Sequence, residues 1–323
     1  MSAHLLIGAG AGLVSAALFA SAAVSAALAG FLLYLAPLPL CLAGLGWGRS
    51  AVLLAGLTAT VVMAAALGPT AALAYAVVFA TPVAFLVHLL LLSRPAQAGA
   101  GEGDNLDWYP AGRLVGAAAL IAGALAGLMV LVLGPDAESY RGTIDEMFPH
   151  IQKGLDPDSS VLTPEMAENL KTVLAQALPA AFAIVWLTIT LFNLWLAGYI
   201  VNASGRPLRP WPDLHGLEVP NIFVAVFAAT LVASFAPGVV GLIATGLAGA
   251  ILFAYVLQGL AVIHVYSRGV PFRPLLLAVV YLGILFLGWL AIVVAILGLA
   301  EPLFGLRARS TAAQSRSDND SND

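Results

Sequence analysis

Residues 186–221 read WLTITLFNLWLAGYIVNASGRPLRPWPDLHGLEVPN. The run up to Gly205 carries no charge. From Arg206 the chain packs two arginines, an aspartate, a glutamate, a histidine and four prolines into sixteen residues. The thirty residues on either side of that cluster are nearly free of charge. Pro207, Pro210, Pro212 and Pro220 forbid a continuous helix through it. Trp211 suits a membrane–water interface, and Arg206 and Arg209 suit its cytoplasmic side. The stretch therefore predicts a helix leaving a membrane, an elbow over 204–219, and a new helix entering after Pro220.

Composition extends that reading to the whole chain. It is 61% hydrophobic and 9% charged over 323 residues, with a mean hydropathy of +0.98. A soluble domain carries about 25% charged residues, so most of this surface must face lipid. Backbone polar groups in lipid have to be satisfied within the segment, which predicts helices throughout: an all-α, multi-pass transmembrane bundle. The net charge of −4 gives no case for a nucleic-acid partner. One cysteine, Cys41, excludes an intrachain disulfide and a CxxC motif, and its apolar setting reads as a small buried hydrophobe. MSAHLLIGAG lacks the basic start of a signal peptide, so the small residues around 20–23 are read as part of an uncleaved first span.

The apolar runs predict spans at about 4–22, 24–46, 49–67, 70–92, 111–134, 174–203, 220–236, 238–266 and 274–300. The first two lack a separator and the seventh is short, so the count is eight or nine. No Asp, Glu, Lys or Arg falls in a predicted span core. With nine spans and a cytoplasmic N-terminus, Arg49, Arg94, Arg113, Arg206, Arg209, Arg268 and Arg273 all face inward, as the positive-inside rule requires. Segment 135–173 then lies outside, where its eight acids against three bases leave −5. Arg307, Arg309 and Arg316 in the tail fall on the wrong side unless the last run is not a simple span. The domain reading is a six-helix membrane bundle over 1–203, the elbow at 204–219, C-terminal membrane helices over 220–303 and a polar, disordered tail over 304–323.

Within 135–173, Tyr140, Ile144, Phe148 and Ile151 recur at helical spacing and predict an amphipathic surface helix. DPDSS at 156–160 reads as a turn. Thr163-Pro164 reads as an N-cap followed by proline at the first helical position. The helix that follows runs into the sixth span, where Pro179 is placed to kink it.

The run 186–220, with its helix ending in NLWLAG, its SGRPLRPWP turn and its helix after EVP, resembles the bacterial integral membrane proteins grouped as DUF2232, also called YybS-like. Four apolar helices before residue 95 agree with that family. The family is remotely similar to the substrate-binding S components of energy-coupling-factor transporters and to the cell-shape protein MreD. The resemblance implies a protein of the bacterial inner (plasma) membrane. By analogy with S components it also implies docking of a partner on the first helix through small residues. Gly8, Gly12, Ala16 and Ala20 hold the four-residue spacing such a face needs, and ordinary internal packing explains the same spacing.

Chemistry is sparse. An ionisable residue at depth marks a functional site, and none is predicted here. The polar residues left in the spans are Asn193, Asn202, Gln258, His264, His88 and a few tyrosines, Tyr255 among them. Asn193, Gln258, Tyr255, His264 and His88 are the ligand-binding candidates. For Asn193 the competing reading is an interhelical hydrogen bond. His88 and His264 suit an anion-binding mouth or interfacial residues held by backbone carbonyls. The motifs HExxH, GxSxG and GxxxxGK[ST] do not occur, so no enzyme, metal site or cofactor is expected. DPDSS lacks the spacing of a calcium loop.

The resulting expectation is a solute-binding or transport component embedded in the lipid bilayer. Without a nucleotide motif it requires a separate ATPase and membrane coupling protein for ATP-driven work. The alternative is a scaffold, like MreD, for envelope-assembly or cell-division proteins.

Overall fold

A computed structural model describes residues 3–21, 26–95, 106–155 and 163–304. They are helical almost throughout, in keeping with the expected all-α membrane bundle. In chain order the helices are α1 (Ala3–Ala20), α2 (Ala26–Leu35), α3 (Leu38–Trp47), α4 (Arg49–Leu67), α5 (Pro69–Tyr75), α6 (Thr81–Leu90), α7 (Ala111–Leu133), α8 (Ala137–Leu155), α9 (Pro164–Ala203), α10 (Ile222–Ala233), α11 (Val239–Tyr266), α12 (Arg273–Leu287) and α13 (Leu290–Phe304). A π-helical turn, Ala76–Ala80, joins α5 to α6. Two three-residue strands, β1 (Ser93–Pro95) and β2 (Leu106–Trp108), pair antiparallel with Arg94 opposite Asp107.

Among the described residues, six segments are long and apolar enough to cross a membrane: Gly30–Trp47, Arg49–Leu67, Pro69–Leu90, Ala111–Leu133, Pro164–Ala203 and Val239–Tyr266. Three of the expected spans, 4–22, 220–236 and 274–300, contain only shorter apolar helices: His4–Ala20, Ile222–Ala233, Arg273–Leu287 and Leu290–Pro302. The run 274–300 is two helices, because Gly288 adopts φ +57° between α12 and α13. The run 24–46 is broken at Ala36-Pro37. Helix α10, at 12 residues, is the shortened form of the expected span 220–236; its length is about 18 Å, against a hydrocarbon core of about 30 Å. The boundary between the first two spans, the DPDSS turn and the tail beyond Phe304 lie outside the described residues.

The chain forms two compact units, Met1–Ala118 with Trp186–Asp213, and Ala119–Val185 with Leu214–Asp323. This differs from the expected division at the elbow. The reason is the length of α7 and α9, whose two ends pack with different partners. In the first unit α1 lies on α4, where a Cβ on Gly8 would meet the Ala51 carbonyl at 2.8 Å. The core holds Leu40, Cys41, Ala55, Met63 and Leu86, with Phe19 edge-on to Tyr75 and Phe79. Cys41 is free and buried, as its setting predicted. In the second unit α7, α9 and α11 close on one another through Gly123, Gly127, Gly246 and Gly249, small residues that let helices approach.

The amphipathic helix predicted within 135–173 is α8. Tyr140, Ile144 and Phe148 are buried, and Ile151 is exposed. Tyr140 and Ile144 cluster with Val130, and the Tyr140 hydroxyl donates to the Ala175 carbonyl at 2.8 Å. Lys171 pairs with Asp145 at 3.0 Å and Glu168 at 2.8 Å. Thr163 caps α9 as expected, accepting from the Met166 N–H at 3.2 Å ahead of Pro164.

Asp136 caps α8, taking the Ser139 N–H at 2.9 Å and the Ser139 hydroxyl at 3.0 Å. Those two bonds favour the carboxylate and hold Asp136 below the usual carboxylate range. A depressed folded pKa means the cap is fully present above the unfolded value, about 3.9, and is lost as pH falls through the lower folded value. Hydrogen exchange at the Ser139 amide should therefore accelerate only below that range. Protection that declines between pH 7 and 5 would contradict this assignment.

Candidate functional site

The break in the second span organises the polar groups of the first unit. Pro39 has no N–H to offer Leu35, and the chain bends at Ala36-Pro37, so carbonyls at the end of α2 need other partners. Asn193 on α9 supplies one. Its Nδ2 donates to the Tyr34 carbonyl at 2.6 Å and to Ile189, one turn back on its own helix, at 2.7 Å. Ser15 on α1 supplies the other, donating to the Ala36 carbonyl at 2.5 Å while its hydroxyl lies 2.6 Å from that of Tyr75. Ser15, Tyr75, Asn193 and its neighbour Thr190 are fully buried. Among the described residues, Asn193 Oδ1 and Thr190 Oγ1 have no hydrogen-bond partner. Two oxygens, three residues apart on one helix face, thus retain hydrogen-bonding capacity beside a non-helical turn.

A second proline effect lies close in sequence to Tyr75. Pro82 cannot serve the Val78 carbonyl four residues back, and Trp186 Nε1 donates to it instead at 2.8 Å. Trp186 is thus a buried hydrogen-bond donor.

Where the elbow meets α6, arginines cap the helix end. Arg49 donates to the Leu91 carbonyl at 2.9 Å and Arg209 to Leu90 at 3.0 Å. Cations at a helix C-terminus answer both its free carbonyls and its dipole. Arg209 also lies over the Trp108 ring, 5.7 Å from its centroid, and its burial draws the guanidinium below its usual pKa. Phe192, Trp195, Tyr199 and Trp211 form a continuous exposed aromatic ladder from α9 into the elbow.

In the second unit, Gln258 is a clip. Its Oε1 accepts from the Val219 N–H at 2.6 Å, and its Nε2 donates to the Gly298 carbonyl at 2.8 Å. Tyr255, one turn earlier, is buried with its hydroxyl unpartnered among the described residues. His264 faces the Leu260 carbonyl at 2.9 Å and sits between the rings of His215 and Tyr281, at 6.2 and 6.0 Å.

The sequence candidates are divided between the two units. Asn193 and His88 belong to the first unit, and Gln258, Tyr255 and His264 to the second. His88 is exposed on α6. The small-residue face Gly8–Gly12–Ala16 is occupied internally: a Cβ on Gly12 would overlap the Ala55 carbonyl of α4, and Ala16 is buried. Ala20, at the end of α1, is half-buried. That face offers no free docking surface.

One acid was missed. Glu301, one residue past the predicted span 274–300, lies within α13 and is only 7% exposed. Helix α13 runs antiparallel to α11, with Val294 against Gly259 and Gly298 against Tyr255. One turn further, Glu301 comes level with about residue 252, the middle of α11. It does not stand alone there, since it has an interaction partner. The spacing of α11 and α13 was the missing signal: with a single span ending at 300, Glu301 reads as a solvated flank.

A family model for predicted membrane proteins, DUF2232, matches residues 13–301. The chain belongs to DUF2232. No curated protein and no solved structure matches it. The stretch 186–220 that carried the resemblance lies inside the matched range, as do the broken span, the Gln258 clip and Glu301. For this DUF2232 protein the comparisons establish membrane residence and no more, and none of them links it to S components or to MreD.

Proposed function

We propose that this DUF2232 protein is a multi-pass component of the bacterial inner membrane that binds a polar solute and works with partner proteins in its transport. The observation that carries this reading is the broken span at Ala36-Pro37, with Asn193 Oδ1 and Thr190 Oγ1 buried beside it and unpartnered. Discontinuous helices are where membrane carriers place neutral hydrogen-bonding groups for substrate. Two oxygens without lysine or arginine suit a neutral or donor-rich ligand. In this reading the N-terminus and the elbow face the cytoplasm, and energy coupling comes from a separate ATPase with its membrane coupler.

A second reading, a scaffold for envelope-assembly proteins, is favoured by one feature. Helix α12 has no buried residue, and Leu275, Val279, Leu285 and Phe286 are all largely exposed. Its contacts with its own chain are few, Tyr281 on His264 and Gly283 near Leu290, and the apolar remainder suits another protein.

The test is native mass spectrometry of the full chain gently solubilised from its own membrane, beside Thr190→Val. That change removes an unpartnered hydroxyl and should spare the fold. A co-purifying small molecule, reduced about tenfold in the variant, is the expected result; loss of one hydrogen bond to a bound ligand is of that order. Envelope proteins retained without a ligand would replace transport by the scaffold. A ligand retained equally by both chains would place the binding site elsewhere.

A further inference from the structure

We propose that a lateral groove of the first unit, separate from the broken span, binds an anionic phospholipid of the surrounding bilayer. The groove has a volume of about 590 Å³ and runs between α4 and the π turn with α6. Gly56, Ala76, Ala80 and Ala84 leave it deep, and Leu57 and Phe85, both exposed, wall it. Such a volume falls in the range of small-ligand pockets, roughly 300–1,000 Å³.

The floor is set by the two helices' own packing. A Cβ on Gly56 would stand 3.3 Å from that of Ala80, so the pair already touches at the base. From Arg49 to Thr60 the α4 wall extends about 16 Å at helical rise, which is the run of a chain lying along the helices within one leaflet.

Charge fixes the class of lipid. Arg49 and His88 line the same end of the groove, Arg49 opening α4 and His88 in the last turn of α6. Among the described residues, one guanidinium N–H of Arg49 is bonded, to the Leu91 carbonyl. A guanidinium has five donors in a fork that matches phosphate. The described ion pairs are Arg94–Asp107, Lys171–Asp145 and Lys171–Glu168, so no described carboxylate neutralises Arg49. The His88 ring has an N–H for a phosphate oxygen in either protonation state. A basic mouth opening into an apolar slot between membrane helices is the form that recognises an anionic headgroup with its acyl chain attached.

The proposal is independent of the transport reading and is tested with lipids alone. The delipidated full chain would be titrated with phosphatidylglycerol and with phosphatidylcholine of the same acyl chains, and retained lipid read by native mass spectrometry. Phosphatidylglycerol should be retained about tenfold better, from one or two basic groups near the membrane surface. The double change Arg49→Gln with His88→Gln should erase that preference. Ala84→Phe, which fills the slot, should lower retention of both lipids. A second measurement avoids folding of variants altogether: a diazirine-bearing phosphatidylglycerol should label the wild-type chain on α4 and α6 around Leu57 and Phe85. Equal retention of the two lipids, or labelling spread evenly over the apolar surface, overturns the proposal.

Discussion

Leucine in place of Gly12 should cost about 3 kcal/mol or more, the upper end for overpacking, and should leave the first unit unable to close. Helix α1 approaches α4 most closely here. A Cβ on Gly12 would run into the carbonyl of Ala55 and the side chain of Thr58, and it would stand 3.1 Å from the amide nitrogen of Ala59. Two of those obstacles are backbone, so rotamer change cannot relieve them; the helices must part. Parting them also strains the hydrogen bond from Ser15, one turn along α1, to the Ala36 carbonyl. Gly10 is the control. It lies on the same helix with nothing within 4 Å of its added Cβ, so Gly10→Leu should be close to neutral. Thermal unfolding in detergent, followed by tryptophan fluorescence and monodispersity, separates the two. Equal melting temperatures for both variants would mean that α1 does not seat on α4 as described.

Gln258→Leu should destabilise the second unit by about 2–4 kcal/mol, since a stranded buried backbone group costs about 1–3 kcal/mol and this change strands two. The Val219 N–H and the Gly298 carbonyl both lose their partner, and neither residue can turn to water, because Gln258 and Val219 are fully buried. Leucine has nearly the right volume, so the loss is one of hydrogen bonds and not of packing. Gln258→Glu is the control. Buried in an apolar interior, its carboxyl stays protonated, so it still accepts from Val219 and donates to Gly298. Hydrogen exchange over 217–223 and 294–302 should show loss of protection in the leucine variant and near wild-type protection in the glutamate variant. Wild-type protection of both segments in the leucine variant would refute the assignment.

Much of this fold is legible in the sequence because lipid makes one demand on every segment. Apolar runs of sufficient length mark helices, and the Thr163-Pro164 cap, the prolines of 206–221 and the alternation in α8 mark the ends and faces correctly. What hydropathy does not report is a break inside an apolar run. Pro37 with Pro39, and Gly288, sit among residues as apolar as their neighbours, and only their missing N–H or their φ divides the helix. The candidate site was legible in its members and not in their grouping. Asn193 and Gln258 stand out as lone amides, and their bonds reach backbone groups beside breaks and prolines: Tyr34 before the Ala36-Pro37 break for one, and for the other the Val219 N–H in the elbow and the Gly298 carbonyl, which Pro302 cannot serve. The partner of a buried amide is set by helix pairing, which a chain this rich in alanine does not encode in any local pattern. Glu301 escaped for the same reason, since its burial follows from where α13 begins.

The indole–carbonyl bond between Trp186 and Val78 binds two distant positions into one unit of inheritance. Pro82 creates the need, and Trp186 meets it from 104 residues away in the chain. A lineage that loses the tryptophan first leaves a bare carbonyl in an apolar interior; one that loses the proline first restores an ordinary helical acceptor and frees the indole to drift. The order of replacement is thus directional. Among descendants of such a chain, the proline can vanish while the tryptophan persists, and the reverse combination should be the rare one.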